Sequence, residues 1–394
     1  MQVKYLQCAR CNRTYPSTEI RYRCECGDSL ELVYDYRTIQ GITWDMLRRR
    51  PFDHWRYLEF YPDLDPGSII SMGEGGTQLI RSRNIAQGLR AGELFFKLES
   101  MNPTGSFKDR GSTVEISHAY HYLCIHEGCK NEIVCASTGN MGASVAAYSA
   151  RGGLFCTIYV PHDTAKIKLL QMLAHGAKIV RVEGDYTEAM LTAKREYDEH
   201  GRYLAGDYPY RGEGEKSVGL ETVDQMNGEI DYLVCPIGNG TLVHGIWKGL
   251  KELQIAGLLR RLPKIIGVQA AGCNTVAKSF EEGWDDITPV TPHTLMDAVA
   301  CGDPLDGTWA LRALRESGGW ATAVTDEEGI RARSMLAKKE GIFAELSGAL
   351  ATAGLIKAYN AGIVEKDARV AALITGHGLK EPESLEGVMG NKKI

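Results

Sequence analysis

The sequence lacks a long uninterrupted apolar run. No stretch approaches the roughly 20 apolar residues of a membrane-spanning helix, and the opening MQVKYLQCARCNRTYP has no apolar core of signal-peptide length. Internal repeats and low-complexity tracts are also missing. We therefore expect a cytoplasmic protein with no membrane partner.

An excess of positive charge is likewise missing. Lys and Arg number 45 against 50 Asp and Glu, which gives a formal net charge of −5, and the two signs are interspersed. This pattern offers no basic stripe to a nucleic-acid backbone, so nucleic acid is not an expected partner. What the chain does have is ordinary globular composition, with 394 residues of which 44% are hydrophobic, enough for two domains or more.

The cysteines are unevenly distributed. Of 11 in the chain, Cys8, Cys11, Cys24 and Cys26 form two close pairs near the start, separated by a turn-bearing stretch. In a reducing compartment, such pairs bind metal more often than they form disulfides, and four thiolates suit a structural zinc ion. We therefore predict a zinc ribbon that ends near Tyr36. The alternative is that these thiols are free and the ribbon is held by packing alone.

From about residue 93, short apolar runs alternate with longer amphipathic ones. The strand candidates are ELFFKLES, EIVCAS, LFCTIYVP, AKIVRVEG, DYLVCPIG, KIIGVQA and RVAALITG, and helices are predicted to about Glu127, from about Asn140 and through His175. This alternation predicts an α/β fold with mainly parallel sheets. The number of strands favours two α/β domains with the active site in the cleft between them.

Lys108 is a candidate reactive lysine. It lies in the segment Asn102-Pro-Thr-Gly-Ser-Phe-Lys108-Asp-Arg-Gly111, where a glycine-bearing turn enters a predicted helix. A partly desolvated lysine amine in such a place can act as a nucleophile, although a lysine at a helix start is more often an exposed surface residue. The string NPTGSFKDRG, however, resembles the Schiff-base motif of the threonine synthase family of pyridoxal-phosphate enzymes. By that resemblance Lys108 is the cofactor-bonding and catalytic lysine.

The resemblance extends from the N-terminal cysteines to the last TGHG segment and implies the tryptophan synthase β-like fold. It implies a zinc-ribbon-like segment at 1–36, a large cofactor-binding α/β domain made of 37–114 and 211–394, and a small α/β domain at 115–210. Members of the family are commonly dimers, so we expect a homodimer.

Three further loops match cofactor-binding segments of the family. The loop Ala136-Ser-Thr-Gly-Asn140 implies that Asn140 contacts the cofactor ring hydroxyl and that Ser137 and Thr138 receive the substrate carboxylate. The loop Gly238-Asn239-Gly240-Thr241 ends a strand and opens a helix, the usual form of a phosphate-binding turn. It resembles the family's cofactor-phosphate loop, with Thr241 and Leu242 where the family usually has a second Gly-Asn pair. Thr375, in Thr-Gly-His377-Gly, maps to the hydroxyl partner of the pyridine nitrogen.

The segment Tyr208-Pro-Tyr-Arg211-Gly-Glu-Gly-Glu-Lys216-Ser217 resembles the family sequence NPYR-x-x-G-x-K-T. Arg211 and Lys216 then supply two cations suited to a substrate phosphate. The alternative is that both are solvated charges on a loop beside Glu213 and Glu215.

The favoured function is a carbon–oxygen lyase, threonine synthase, which converts O-phosphohomoserine and water to threonine and phosphate. An alternative within the cofactor class is β-elimination or β-replacement on threonine, serine, phosphoserine or diaminopropionate. It is left open by Thr241, by Gly348 in AELSGALATAG and by the AVACGDP segment, all of which depart from the family pattern. A second alternative is a catalytically lapsed scaffold protein, against which Lys108, Asn140 and Thr375 argue.

Overall fold

The computed structural model describes residues 1–125, 131–206 and 209–381. Tyr208 and the predicted helix end near Glu127 lie outside these ranges. Within them, no helix combines the length and apolar character needed to cross a membrane.

The described residues form strands and helices in regular alternation after a strand-rich start. The strands are β1 (Val3–Cys8), β2 (Thr14–Pro16), β3 (Leu30–Tyr34), β4 (Leu79–Arg81), β5 (Glu93–Lys97), β6 (Glu132–Ala136), β7 (Phe155–Pro161), β8 (Lys178–Val182), β9 (Tyr203–Leu204), β10 (Tyr232–Pro236), β11 (Lys264–Ala270), β12 (Trp320–Val324) and β13 (Arg369–Leu373). The α-helices are α1 (Trp44–Arg48), α2 (Asn84–Leu89), α3 (Lys108–Ile125), α4 (Asn140–Arg151), α5 (Lys166–Ala174), α6 (Tyr186–His200), α7 (Pro209–Glu215), α8 (Ser217–Gln225), α9 (Thr241–Ile255), α10 (Thr275–Glu281), α11 (Gly307–Glu316), α12 (Asp326–Met335) and α13 (Leu350–Asn360).

These elements belong to two compact units. Unit 1 contains Met1–Ile39, Arg50–Gly75 and the described part of Lys108–Ser217, and unit 2 contains Gln40–Arg49, Gly76–Phe107 and the described part of Val218–Ile394. The domain boundaries predicted from the sequence stay a prediction.

Unit 1 carries two sheets. The first is an antiparallel three-stranded ribbon in the order β2-β1-β3, and the second is a parallel four-stranded sheet in the order β8-β7-β6-β9. The ribbon is joined to the second sheet through Tyr22, whose ring packs edge-on against Tyr197 at 4.9 Å and whose hydroxyl accepts from the amide of Leu204 at 3.1 Å. The N-terminal ribbon is therefore an integral part of unit 1.

Unit 2 is built on one six-stranded sheet in the order β12-β11-β10-β13-β5-β4, parallel except for the antiparallel edge strand β4. Its central strands β10 and β13 are almost entirely buried, as expected of a parallel sheet covered on both faces. Val234, Ile266 and Ala372 stand in register across three neighbouring strands and belong to the apolar core of the unit, together with Leu350 and Leu355 of α13.

Local sequence accounts for many of the helix ends. Asp185 accepts hydrogen bonds from the amides of Thr187 and Glu188 at the start of α6, and Gly201 ends that helix with a φ of 65°. Thr325 and Glu328 form a reciprocal capping box at the start of α12. Such side chains satisfy backbone groups that a helix cannot pair internally.

The predicted α/β class with parallel sheets is confirmed, and so are the seven strand segments proposed from the sequence, which correspond to β5, β6, β7, β8, β10, β11 and β13. Helix α4 begins at Asn140 as predicted, and α5 ends at Ala174, one residue before His175. Strand β12 was not predicted. Its sequence, WATAV, is short and alanine-rich, and only two of its five residues are buried at the edge of the sheet.

Candidate active site

Lys108 is the first residue of α3, which places its amine at the N-terminal end of a buried helix. Its side chain is 22% exposed, and its Nζ lies 3.9 Å from Oε1 of Glu215, whose side chain is fully buried. The first three turns of α3 are buried although they carry many polar residues, namely Asp109, Arg110, Ser112, Thr113, Glu115 and Ser117. A buried helix with this composition must satisfy its polar groups through specific partners.

Helix α7 packs backbone against backbone on α3, and two glycines make this possible. A Cβ added to Gly214 would lie 1.9 Å from the carbonyl oxygen of Arg110, and one added to Gly111 would lie 2.8 Å from Cγ of Arg211. Real Cβ atoms do not approach so closely, so both positions require glycine. The close approach brings the charged side chains of α7 against those of α3.

Arg211 on α7 is buried and paired with groups of α3. Its Nε donates to Oε2 of Glu115 at 3.1 Å, and its terminal nitrogens donate to the hydroxyl of Ser112 at 3.0 Å and to the carbonyl of Lys108 at 3.4 Å. Its side chain is 2% exposed, and Glu115 is fully buried. The interpretation of Arg211 as a solvated loop charge is therefore wrong, because the segment is helical and enclosed.

Lys216 is also enclosed, directly after α7. Its Nζ lies 2.6 Å from Oε2 of Glu213, and it sits over the ring of Tyr34, 4.9 Å from the centroid. The Lys216 side chain is fully buried. Tyr34 is the last residue of ribbon strand β3, so the ribbon supplies an aromatic face to this ammonium group.

The loop from Ser137 to Asn140 follows the carboxyl end of β6 and opens α4. The hydroxyl of Ser137 accepts from the amides of Gly139 at 3.3 Å and Gly142 at 2.9 Å, so it holds the loop onto the helix. One turn further along α4, the hydroxyl of Ser144 donates to Oδ1 of Asp109 at 2.6 Å. Because Asp109 follows Lys108, this bond ties the asparagine loop to the start of α3.

Helix α4 also reaches the glycine-rich turn that contains Glu74. The hydroxyl of Tyr148 donates to Oε2 of Glu74 at 2.7 Å, and Trp55 Nε1 and the Ser71 hydroxyl donate to Oε1. Burial and the neighbouring carboxylate raise the pKa of Tyr148 far above its usual value, so the phenol keeps its proton and remains the donor. Glu74 is therefore fully buried and holds this turn in place by accepting hydrogen bonds from three side chains.

In unit 2, the loop from Gly238 to Thr241 joins the carboxyl end of β10 to the N-terminus of α9. Gly240 has a φ of 99°, and a Cβ there would lie 2.6 Å from the carbonyl oxygen of Asp306. Asn239 Oδ1 accepts from the amide of Leu305 at 2.7 Å, and the hydroxyl of Thr241 donates to the Asp306 carboxylate. Because the Thr241 hydroxyl donates its hydrogen bond to Asp306, the group of Thr241 that can donate to a phosphate is its backbone N–H.

Thr375 follows β13, the neighbour of β10 in the sheet, so it lies at the same sheet edge as the glycine loop. Thr375 is 4% exposed, and its carbonyl accepts from the amide of Phe107 at 3.0 Å. The next residue is tightly enclosed, because a Cβ on Gly376 would lie 2.1 Å from Oε1 of Glu345. Gly348 also packs on the backbone of Gly376, because a Cβ added to Gly348 would lie 3.1 Å from the carbonyl oxygen of Gly376.

These residues fit pyridoxal phosphate by the chemistry of the groups present. The first N–H groups of the 15-residue helix α9 have no partner within the helix, and the preceding glycines keep the approach to them clear of side chains. Lys108 supplies a partly exposed amine in unit 1, and Thr375 supplies a buried hydroxyl in unit 2. The structure thus groups Lys108, Asn140, Arg211 and Lys216 in unit 1, and the glycine loop with Thr375 in unit 2.

Sequence reasoning missed three acidic residues that the structure brings into these loops. Asp306 holds the glycine loop, Glu345 packs on the threonine segment, and Glu215 faces Lys108. Glu215 lies between Arg211 and Lys216, but it aligns with a position of NPYR-x-x-G-x-K-T at which the family pattern specifies no residue type. Asp306 and Glu345 lie far from their partners in sequence, and no local pattern marks them.

The four N-terminal cysteines converge as predicted. Their sulfur atoms all lie within 4.8 Å of one another, with Cys8 and Cys26 3.5 Å apart and Cys11 and Cys24 also 3.5 Å apart. Four sulfurs bound at about 2.3 Å around tetrahedral zinc are separated by about 3.8 Å. The donor set and its spacing therefore fit zinc.

Comparison with known proteins defines the class. A family model described as pyridoxal-phosphate dependent enzyme matches residues 70–376. The processed form of threonine deaminase isoform 2 from Solanum lycopersicum has a similar structure, with a TM-score of 0.66 and 23% identity over 80% of this chain and 83% of that one. This second likeness concerns the fold alone. The chain belongs to the family of pyridoxal-phosphate-dependent enzymes.

Similarity to curated proteins narrows the class. The threonine synthase of Methanocaldococcus jannaschii is 42% identical over 96% of this chain and 93% of the relative. That of Methanosarcina acetivorans is 36% identical over 97% of this chain and 93% of the relative. Within the pyridoxal-phosphate-dependent enzymes, the chain therefore belongs to the threonine synthase family.

Proposed function

We propose that this protein is a threonine synthase, a carbon–oxygen lyase that converts O-phosphohomoserine and water to threonine and phosphate. The observation that carries the proposal is the 42% identity to the Methanocaldococcus jannaschii threonine synthase over nearly the whole of both chains. In this reaction phosphate leaves Cγ of the substrate and a hydroxyl group is added at Cβ.

In this proposal, Lys108 bonds the cofactor and moves protons at Cα and Cβ of the substrate. The bound cofactor supplies an electron sink. Its phosphate is held by the backbone of Gly238, Asn239, Gly240 and Thr241, a role supported by their place before the N-terminus of α9.

Asn140 and Thr375 are proposed partners of the cofactor ring, at its hydroxyl and its pyridine nitrogen. A neutral hydroxyl at the nitrogen tends not to keep the ring protonated, which suits elimination and replacement at Cβ and Cγ. Ser137 and Thr138 are proposed to receive the substrate carboxylate. The Ser137 hydroxyl accepts from the amides of Gly139 and Gly142, which fixes its oxygen and leaves its proton to donate to the carboxylate.

Arg211 and Lys216 are the proposed partners of the substrate phosphate, the region where charge must be stabilised as phosphate leaves. Each already faces a buried carboxylate, Glu115 for Arg211 and Glu213 for Lys216. A phosphate bound here would therefore share these cations with Glu115 and Glu213. The negative charge of the two carboxylates would weaken the attraction of Arg211 and Lys216 for the phosphate and so influence which substrates bind.

The proposal includes a structural zinc ion held by Cys8, Cys11, Cys24 and Cys26, a cytoplasmic location and a homodimer. Zinc is supported by the sulfur spacing, and the location by the need of four thiolates for a reducing compartment. The homodimer is a prediction from the family resemblance, and light scattering after gel filtration tests it.

The decisive experiment mixes the purified protein with O-phosphohomoserine and measures phosphate and threonine together. We expect equal amounts of both. Release of phosphate with 2-oxobutyrate and no threonine would instead identify an eliminase, the alternative in which the substrate loses phosphate without gaining a hydroxyl group. Threonine, serine, phosphoserine and diaminopropionate are supplied in parallel reactions for the same reason.

Spectroscopy tests the cofactor role of Lys108 separately. The wild type is expected to show visible absorbance from bound cofactor, and Lys108→Ala is expected to lose it. Lys366→Ala, a change at an exposed lysine, serves as the matched control and should leave the absorbance unchanged. A colourless wild type that cannot be reconstituted with pyridoxal phosphate would contradict the proposal.

Thiol alkylation followed by mass spectrometry tests the zinc site. Cys11 and Cys26 are exposed, so without metal they should react quickly. Bound zinc should protect both until a chelator is added, with one zinc released per chain. Cys235 is the internal control, because burial raises its pKa and keeps the thiol unreactive in either state.

A further inference from the structure

Glu215 occupies a place that the proposed reaction has not used. Its Oε1 lies 3.9 Å from Nζ of Lys108 and 3.9 Å from a terminal nitrogen of Arg211. The Glu215 side chain is fully buried, and that of Lys108 is 22% exposed. A single carboxylate oxygen is thus shared between the amine that carries the chemistry and a buried guanidinium group.

The other charged groups of the two helices have partners of their own. On α3, Asp109 accepts from Ser144, Glu115 accepts from Arg211 and from the amide of Gly206, and Arg110 donates to Ser217. On α7 and directly after it, Glu213 is paired with Lys216. The remaining charged residue of α7 is Glu215, which faces Lys108 across the close contact that Gly214 and Gly111 allow.

We propose that Glu215 is a positioning residue that sets the protonation state of the Lys108 nitrogen, a role that rests on Lys108 being the cofactor-bonding lysine. A carboxylate at ion-pair distance stabilises the protonated form of a nitrogen and raises its pKa. Arg211 moderates this effect because it draws on the same oxygen.

This arrangement has a consequence for the reaction. In the proposed reaction, the Lys108 amine must both take up a proton and give one back near Cα and Cβ of the substrate. A fully buried carboxylate beside it favours the ammonium form and keeps the side chain oriented along α3. Arg211 limits that preference, so the neutral form needed to accept a proton stays accessible. The geometry therefore matches a group that alternates between acid and base.

The test is a pH titration of the visible absorbance of the cofactor-loaded enzyme, which reports protonation at the Lys108 nitrogen. Glu215→Gln removes the charge with little change in shape, and we expect the midpoint to fall by about one pH unit. Glu215→Asp keeps the charge but withdraws it by one methylene group, and its midpoint should fall by less. The acid-side limb of the kcat profile should move in the same direction.

Glu213→Gln is the matched control. It removes a buried carboxylate from the same helix, but one that is paired with Lys216, so the Lys108 midpoint should stay within about 0.3 pH units of wild type. Thermal melting confirms that each variant is folded. If Glu215→Gln fails to fold, the smaller shift of the absorbance midpoint expected for Glu215→Asp tests the role of Glu215 by itself.

The outcomes separate this inference from the proposed function. A wild type that never develops visible absorbance with pyridoxal phosphate contradicts the function itself. A normal absorbance whose midpoint is the same in wild type and the Glu215 variants overturns only the role of Glu215. Equal shifts in the Glu215 and Glu213 variants would also overturn it, since the effect would then follow from buried charge in general.

Discussion

Arg211 gives the sharpest prediction, because it is both a proposed phosphate ligand and half of a buried ion pair. Arg211→Ala leaves Glu115, a fully buried carboxylate, without its guanidinium partner. The amide of Gly206 still donates to Glu115 at 2.8 Å, but a neutral backbone amide does not replace the positive charge that the guanidinium supplied. We therefore expect loss of stability whatever the role of Arg211 in substrate binding.

The magnitude follows from burial. Removing one partner of a buried pair costs roughly 3–5 kcal/mol. A domain is stable by only about 5–15 kcal/mol in total, so this loss should be evident in urea unfolding. Adding Glu115→Gln to Arg211→Ala removes the uncompensated charge, and we expect it to recover about 1–2 kcal/mol of the loss.

The control is Arg195→Ala, which breaks an exposed pair with Glu188, with side chains 57% and 41% exposed. That change should cost at most about 0.5 kcal/mol. Arg211→Ala within the same limit would refute the buried-pair reasoning. Phosphate recognition is read separately from the KM for O-phosphohomoserine. If Arg211 binds the phosphate, the double variant recovers stability but not KM, whereas a purely structural role predicts that both recover together.

Two further predictions concern helix packing and acid stability. Gly214→Ala forces a Cβ to within 1.9 Å of the Arg110 carbonyl oxygen, so α3 and α7 must separate and cofactor binding should be lost. Gly88→Ala, in an exposed part of α2 with open space around the new Cβ, should instead be neutral or stabilise by about 0.5–1 kcal/mol, as thermal melting can show. His118 stacks on Tyr210, and burial lowers its pKa to about 3. Because unfolding restores its normal pKa near 6.5, the unfolded chain binds more protons, and about 1–2 kcal/mol of stability should be lost between pH 7 and pH 5. His118→Phe should reduce that pH dependence, and an unchanged dependence would show that the ring is already charged or accessible in the folded state.

The sequence predicted the strands with strong local signals. Continuous apolar runs such as DYLVCPIG and RVAALITG became the buried central strands β10 and β13, since a strand covered on both faces needs apolar residues throughout. The edge strand β12 has a weaker pattern because one side is partly exposed. Its pairing with β11 is a long-range contact that no local pattern specifies.

The loops show a similar division. Lys108, Asn140 and the glycine loop at Gly240 could be located because their contiguous segments resemble motifs of the threonine synthase family. Glycines and helix starts mark where each loop lies but do not by themselves assign a role. The environment of Arg211 could not be located this way. The same letters, YRGEGEK, describe either a solvated loop or a buried helix, and only the contact of α7 with α3 distinguishes them.

By itself, then, the sequence determined the α/β class, the cluster of four cysteines near the start and the segment around Lys108 that resembles the family motif, because each is encoded in patterns of neighbouring residues. The tertiary structure alone decided the partners of the charged groups. Glu215 beside Lys108, Glu115 beside Arg211 and Asp306 beside Thr241 are separated by 65 to 107 positions along the chain. Ionic and hydrogen-bonding partners are selected by distance in space and by burial, and those two quantities exist only once the chain has folded.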